Sequence, residues 1–230
     1  PMKKRILSIL LLCCMVLIML PTTVLAADGP MDTIPKYDVS IDVYNRTSDI
    51  SIKDSRSYYI YSSVPDKLRD TWAWDKKIFI KGDKTAPHVF IDGVNIEMSP
   101  SSKGPAIELN KKASAYIYFI GKNSSLQGAD GRAAIQKNRS EGQLYVLART
   151  GTTVTCKGGD KAAGIGGSYA TRNISNGYYN GDMYGHGVNM HFGSRSNPDY
   201  WGGTIVADGG NGGAGIGGGQ GGAGEKLYFY

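Results

Sequence analysis

The phrase Ala-Gly-Ile-Gly-Gly stands at residues 163–167 and again at 214–218, and it decides the fold that we expect for this 230-residue chain. The similarity extends backwards from both copies. When 153–167 is aligned with 204–218, eight of the fifteen positions are identical. A motif that recurs after a few tens of residues indicates a solenoid, in which each repeat stacks on its neighbours.

Weaker copies precede this pair. The stretch 126–135 matches 156–165 at a spacing of 30 residues, and 106–107 matches 134–135 at a spacing of 28. The two strong copies are 51 residues apart, so the second interval holds extra residues beyond the basic period. We expect the excess within 168–201, a segment rich in Asn, Gly and Tyr.

The remaining pattern predicts an all-β fold. Short runs of β-branched and aromatic residues alternate with Gly, Asn, Asp and Ser turns, while only 65–74 hints at a helix. Val154 and Cys156 align with Ile205 and Ala207, which predicts one inward-facing column. Several strands in each period predict a right-handed parallel β-helix. A β-sandwich is the alternative, but recurrence of a whole turn phrase favours the solenoid.

The first 26 residues have the pattern of a secretory signal peptide. Three basic residues precede an uncharged apolar stretch, 6–20, and Val24-Leu25-Ala26 follows as a cleavage site. The apolar stretch is short for a membrane span, and no later stretch could replace it, so we expect none in the mature chain. Only Cys156 remains after cleavage, so no internal disulfide can form. An exported protein without disulfides suits a bacterial cell surface.

Charge argues against nucleic acid as a partner. The mature chain would keep 23 basic and 20 acidic residues, a net charge of +3. Basic residues do not cluster among aromatic ones, as they do in nucleic-acid-binding surfaces. We therefore expect no nucleic-acid partner.

The predicted organisation is one domain behind the signal peptide. We expect 27–77 to form an N-terminal cap with the first strands and 78–230 to form the solenoid, with 168–201 as an inserted loop. A cap is expected because the open end of a solenoid exposes unpaired backbone.

Several phrases resemble, in this order, a family of exported β-helical repeat proteins on Gram-positive bacterial surfaces, often labelled carbohydrate-binding domain-containing. They are 92–96, 106–109, 133–136 and the two Ala-Gly-Ile-Gly-Gly phrases. The resemblance implies a parallel β-helix in an extracellular setting, and it says more about fold than about activity. Members of the family usually continue into more coils or wall-attachment modules. The chain is therefore expected to be a fragment, associated with the cell wall through its missing C-terminal region.

Aromatic residues in predicted loops are the candidate ligand-binding residues. Their rings can stack on the C–H faces of sugars, while neighbouring Asn and Asp groups bind hydroxyls. Packing at the edges of the coils is the alternative role. The candidates are Trp72, Trp74, Tyr178, Tyr179, Tyr184, Tyr200 and Trp201.

Asp130, Asp160 and Asn211 occupy equivalent positions in three successive repeats. In a β-helix they would stack in one column of turns, where oxygen ligands could hold Ca²⁺. Asx-turns that bond their own backbone are the favoured interpretation, because few carboxylates lie nearby. We therefore expect no cofactor, with calcium as the alternative.

Catalytic patterns are absent from the sequence. The carboxylates are scattered, whereas glycoside hydrolysis needs a spaced pair, and no nucleophile triad can be recognised. The predicted function is non-catalytic binding of extracellular polysaccharide or host glycan. A structural spacer or adhesin stalk is the second candidate, and a polysaccharide lyase or hydrolase is the third.

Overall fold

In the computed structural model, strands that lie one repeat period apart in the sequence pair side by side. It describes residues 34–99, 104–109, 112–137, 141–169, 174–175, 178–179 and 185–230. The predicted signal peptide lies outside these residues. Among the described residues, no helix is long and apolar enough to cross a membrane. Residues 35–230 form one compact unit.

The elements are short strands and a single turn of 3₁₀ helix at Asp66–Leu68, within the segment that hinted at a helix. The strands are β1 (Val39–Asp42), β2 (Ile50–Ile52), β3 (Ser57–Tyr61), β4 (Ile78–Ile80), β5 (His88–Asp92), β6 (Asn95–Glu97), β7 (Ile107–Leu109), β8 (Ala115–Ile120), β9 (Ser124–Gln127), β10 (Ile135–Gln136), β11 (Leu144–Lys157), β12 (Ile165–Gly166), β13 (Ile174–Ser175), β14 (Tyr178–Tyr179), β15 (Gly187–Phe192), β16 (Gly202–Asp208), β17 (Ile216–Gly217) and β18 (Gly224–Phe229).

Two parallel sheets contain most of these strands, so the all-β prediction is confirmed. The larger sheet runs β1-β3-β5-β8-β11-β15-β18; β9 and β16 pair with the second part of β11, and β6 pairs with β9. It is strongly curled, because the first part of β11 pairs with β8 and β15 and the second part with β9 and β16. The smaller sheet runs β17-β12-β10-β7-β4-β2.

The registers confirm the repeat spacing. Leu126 pairs with Cys156 at the 30-residue interval, and Ile165 pairs with Ile216 at the 51-residue interval. The extra residues lie between β12 and β15 and between β15 and β16. The segment 168–201, expected as an inserted loop, contains β15, which pairs with β11 and β18 in the larger sheet. Antiparallel pairing, which a β-sandwich would need, occurs among the described strands only between β13 and β14.

The core lies between the sheets and consists of columns of apolar side chains. Six isoleucines occupy one register column of the smaller sheet: Ile50, Ile78, Ile107, Ile135, Ile165 and Ile216. Val154 and Cys156 are fully buried, and their partners Ile205 and Ala207 pack against the same core, so the predicted inward column is confirmed. Burial also raises the pKa of the Cys156 thiol far above its usual range, so this cysteine is an unreactive core residue.

Side-chain oxygens tie successive strands together at the turns. The Asp92 carboxylate accepts the backbone N–H of Lys122 at 2.8 Å. Asn123 accepts the N–H of Thr153 in the same way, also at 2.8 Å. These bonds satisfy backbone groups at places where the parallel ladder is interrupted. The result is a continuous outer surface on which side chains one period apart lie next to each other.

Candidate functional site

A column of aromatic rings runs along the outer surface of the larger sheet. Side chains alternate between the two faces of a strand, so residues paired in register share a face. The column contains, in strand order, His88, Tyr116, Tyr145, His191 and Tyr228. Adjacent ring centroids are 4.4–4.7 Å apart, and the ring planes lie within 16° of parallel. We call this set the ring column.

A second column lies two residues further along the same strands and is interrupted. Tyr59, Phe90 and Tyr118 are its aromatic members, with Phe90 and Tyr118 stacked at 4.9 Å. The register then brings Leu147 and Gly193 to the next two positions, neither of which carries a ring. Tyr230 follows beside Gly193, because its N–H donates to the Phe192 carbonyl.

This interruption forms a groove of about 460 Å³, which we call the aromatic groove. Tyr118 and Tyr230 close its two ends. They are three strand spacings apart, about 14 Å, and the two register positions between them carry no ring. Tyr116 and Tyr145 of the ring column line one long side. The groove is therefore open, elongated and bounded by aromatic side chains.

Trp201 lines the groove next to Tyr118. Its ring lies 5.0 Å from that of Tyr118, and the two planes are tilted by 38°. Tyr200 packs edge-on against the indole at 4.7 Å. Both Trp201 and Tyr200 are half-buried.

The loop that carries Trp201 is held by Thr150 of β11. The backbone N–H of Thr150 donates to the Tyr200 carbonyl at 3.0 Å. Its hydroxyl donates to the Asp199 carbonyl and accepts the N–H of Gly202 at 3.1 Å. Because three bonds fix the loop on both sides of Trp201, the indole is preorganised and need not be ordered when a ligand binds.

Polar groups enter the groove from the segment 193–196. The Ser194 and Ser196 hydroxyls lie 3.1 Å apart. The guanidinium of Arg195 lies over the Tyr230 ring, 4.7 Å from its centroid. The Tyr118 hydroxyl is bonded to the His88 imidazole at 3.0 Å, and burial, with a smaller contribution from Tyr116, raises the pKa of Tyr118 to about 12. Tyr118 therefore stays uncharged at physiological pH.

The structure separates the predicted aromatic candidates into different environments. Trp201 lines the aromatic groove and Tyr200 supports it. Trp74 is 3% exposed, and its indole N–H donates to the Arg46 carbonyl, so this ring belongs to the core. Trp72 is half-buried against the core and packs edge-on against Tyr44 at 5.4 Å.

Three further candidates come from the inserted segment. Tyr178 and Tyr179 form β14, which pairs with β13, and their side chains lie outside the described part of the structure. Tyr184 lies outside the described residues altogether. Their proposed role in binding stays a prediction.

Sequence analysis missed Tyr116, Tyr118 and Tyr145, which lie in strands. A signal was available, because His88, Tyr116 and Tyr145 are spaced by 28 and 29 residues, close to the period of the turn phrases. The glycine turns repeat more strongly than the ring positions, and this hides the period of the rings.

The predicted calcium column lies in turns of similar conformation. Asp130, Asp160 and Asn211 are each exposed, and the residues that follow them have φ of +73°, +64° and +83°. Asp160 lies 3.8 Å from the Lys161 ammonium. Within the described residues, no group of three or more His, Cys, Asp or Glu side chains is placed to hold a metal. Calcium binding stays an untested alternative.

A second groove, of about 650 Å³, lies beside β6 and β9 and is polar. Its polar side chains already bond to other groups of the protein. Lys122 pairs with Asp66 at 2.8 Å, Arg69 donates to the Gly93 carbonyl at 3.0 Å, and Asn95 donates to the Arg69 carbonyl at 2.9 Å. A ligand would have to break these bonds, so the aromatic groove is the better candidate.

Comparison with protein-family models, with curated proteins and with solved structures finds no match for this chain. The site must therefore be interpreted from its own geometry.

The histidines of the ring column predict a loss of stability in mild acid. Burial lowers the pKa of His88 and of His191 below the ordinary value of 6.5. The unfolded chain then binds more protons than the folded one as pH falls through 6.5. We expect the Tm to fall between pH 7.5 and pH 5.5.

Calorimetry across this range tests the prediction. The double variant His88→Phe/His191→Phe keeps a ring at both positions but removes the titration, so its Tm should change less over the same interval. An identical pH dependence in the variant would assign the effect to other groups.

Proposed function

We propose that this chain is a secreted, non-catalytic module of a bacterial cell surface that binds extracellular polysaccharide or host glycan in the aromatic groove. One observation carries the proposal: the second column has a gap between Tyr118 and Tyr230, with Trp201 beside it. Exposed ring surface can pack against the C–H faces of a sugar, and the serine hydroxyls at 194 and 196 can bond its hydroxyls.

The proposed scaffold is a right-handed parallel β-helix. It is supported by parallel pairing at one-period intervals in both sheets and by the path of β11, whose two parts pair with different sets of strands. In this proposal, strands such as β8, β9 and β10 form three sides of one coil. The first strands, within 35–77, pair with the same two sheets and would form the start of the stack below the predicted cap.

Binding without cleavage is the simplest activity for this groove. The residues that line it in the described structure include no Asp or Glu. Retaining and inverting glycosidases use two carboxyl groups on either side of the scissile bond. Rigid rings and hydroxyls instead suit recognition of a chain that passes through an open groove.

The extracellular setting rests on the sequence. It is supported by the signal-peptide pattern in 1–26, by a mature chain with a single cysteine, and by the resemblance of the turn phrases to exported β-helical proteins.

Retention on immobilised glycans tests the proposed site. Trp201→Ala removes the indole that lines the groove beside Tyr118. Leu147→Tyr places a ring in the gap and should fill the groove. We expect each change to weaken binding at least tenfold, equivalent to about 1.4 kcal/mol. A glycan array followed by calorimetric titration with the best-retained polysaccharide measures this.

Tyr228→Ala is the matched control, because Tyr228 ends the ring column but does not line the aromatic groove. It should leave the Kd unchanged. If the wild-type protein is retained on no glycan, the proposal is wrong and a spacer or adhesin stalk is the better function. Release of reducing ends or unsaturated sugars from the retained polysaccharide would contradict the non-catalytic proposal.

A further inference from the structure

The charged residues that line the aromatic groove determine which kind of sugar binds there most tightly. Arg195 is the only charged residue that lines the groove in the described structure. It is exposed, and its guanidinium is placed over the Tyr230 ring. A cation stacked on an aromatic face keeps its N–H donors at the ring edge for a ligand.

The surroundings of Arg195 leave this charge uncompensated. Arg195 forms no ion pair with any described residue, unlike Arg56, which pairs with Asp54 at 2.9 Å. The nearest acidic residue along the chain, Asp199, belongs to the loop of Trp201 but does not line the groove. Its backbone carbonyl is bonded to Thr150, which fixes the loop. Arg195 is therefore the only charged side chain on the described lining of the groove, and a cation in this position favours a bound anion.

We propose that the aromatic groove selects acidic polysaccharide and that Arg195 is the residue that determines this specificity. This inference rests on the proposed function. The rings supply binding surface to any sugar, and the guanidinium adds a charge-assisted hydrogen bond to a sugar that carries a carboxylate or sulfate group. Arginine offers paired donors in a planar arrangement that fits either anion.

The position of Arg195 in the groove supports its proposed role in specificity. Arg195 and Tyr230 together form one end of the groove, and Tyr118 with Trp201 forms the other. A sugar lying against Tyr118 and Trp201 would place the next units of its chain towards the guanidinium. The anionic group is thus recognised at one end and the sugar ring at the other.

Binding to matched charged and neutral polysaccharides tests the inference. The probes are polygalacturonate and its methyl ester, which share a backbone, and dextran sulfate and dextran. The wild-type protein should bind at least one charged polymer about tenfold more tightly than its neutral partner, and added salt should reduce the difference. Preference for polygalacturonate identifies a carboxylate, and preference for dextran sulfate identifies a sulfate.

Arg195→Gln should abolish that preference while keeping binding to the neutral polymers. Arg56→Gln removes the same charge far from the groove, where Arg56 lies over Tyr58, and should keep the preference. Equal binding of charged and neutral polymers by the wild-type protein, or an unchanged preference in Arg195→Gln, would overturn the inference and leave glycan binding intact. Failure of the wild-type protein to bind any glycan would overturn the proposed function as well.

Discussion

Replacing Ile135 with alanine will lower the free energy of unfolding by about 2–5 kcal/mol, the usual cost of removing a large aliphatic side chain from a packed core. Ile135 is completely buried and lies between Ile107 and Ile165 in the isoleucine column. The truncated side chain leaves a cavity in the middle of the column, where neighbours on both sides are fixed by parallel pairing. The loss combines the transfer energy of the deleted methyl groups with the cost of that cavity.

Ile216→Ala is the matched comparison. Ile216 ends the same column, is half-buried and has a paired neighbour on one side, Ile165. Since less apolar surface is buried there, the expected loss is less than half of that at Ile135. Urea denaturation of both variants at constant m-value measures the difference. If both variants lose the same free energy of unfolding, Ile216 is buried as completely as Ile135, which would contradict the structure.

The sequence predicted the strands that are rich in β-branched and aromatic residues, because such runs are recognisable without knowledge of their partners. Eight strands were not predicted: β6, β7, β9, β10, β12, β13, β14 and β17. Of these, β10, β12 and β17 have two residues each, and β12 and β17 lie inside the glycine phrases. A two-residue strand carries no periodicity. Its existence depends on the neighbouring strand, and only the register supplies that information.

The candidate site was predictable in part. Trp201 was identified, since a tryptophan in a segment rich in Asn, Gly and Tyr is conspicuous. The groove itself arises from residues without rings, Leu147 and Gly193, which meet across an interval of 46 residues. No local sequence pattern indicates the positions at which a column of rings will be interrupted. Trp74 was predicted as a binding residue, but it belongs to the core. Its indole N–H donates to the backbone carbonyl of Arg46, which is distant in the sequence.

Gly166→Ala will destabilise the protein much more than the same change at Gly217. Both glycines occupy the same place in the repeated phrase and have nearly the same conformation, with φ of +130° and +134°. Alanine is strained at such angles, at a cost of about 1–3 kcal/mol that both variants share. They differ in what lies next to them, because a Cβ at 166 would lie 2.1 Å from the Gly217 carbonyl oxygen.

No such contact exists at Gly217, where a Cβ would find its nearest atoms at 3.6 Å in the described structure. Relief of the overlap at 166 must separate β12 from β17, so we expect a further loss of about 1–3 kcal/mol for Gly166→Ala. Chemical denaturation of both variants, with monomers verified by light scattering, gives the comparison. Equal losses would mean that the two phrases are not stacked. A larger loss at 166 would show that the first phrase is glycine-rich because the second one lies against it.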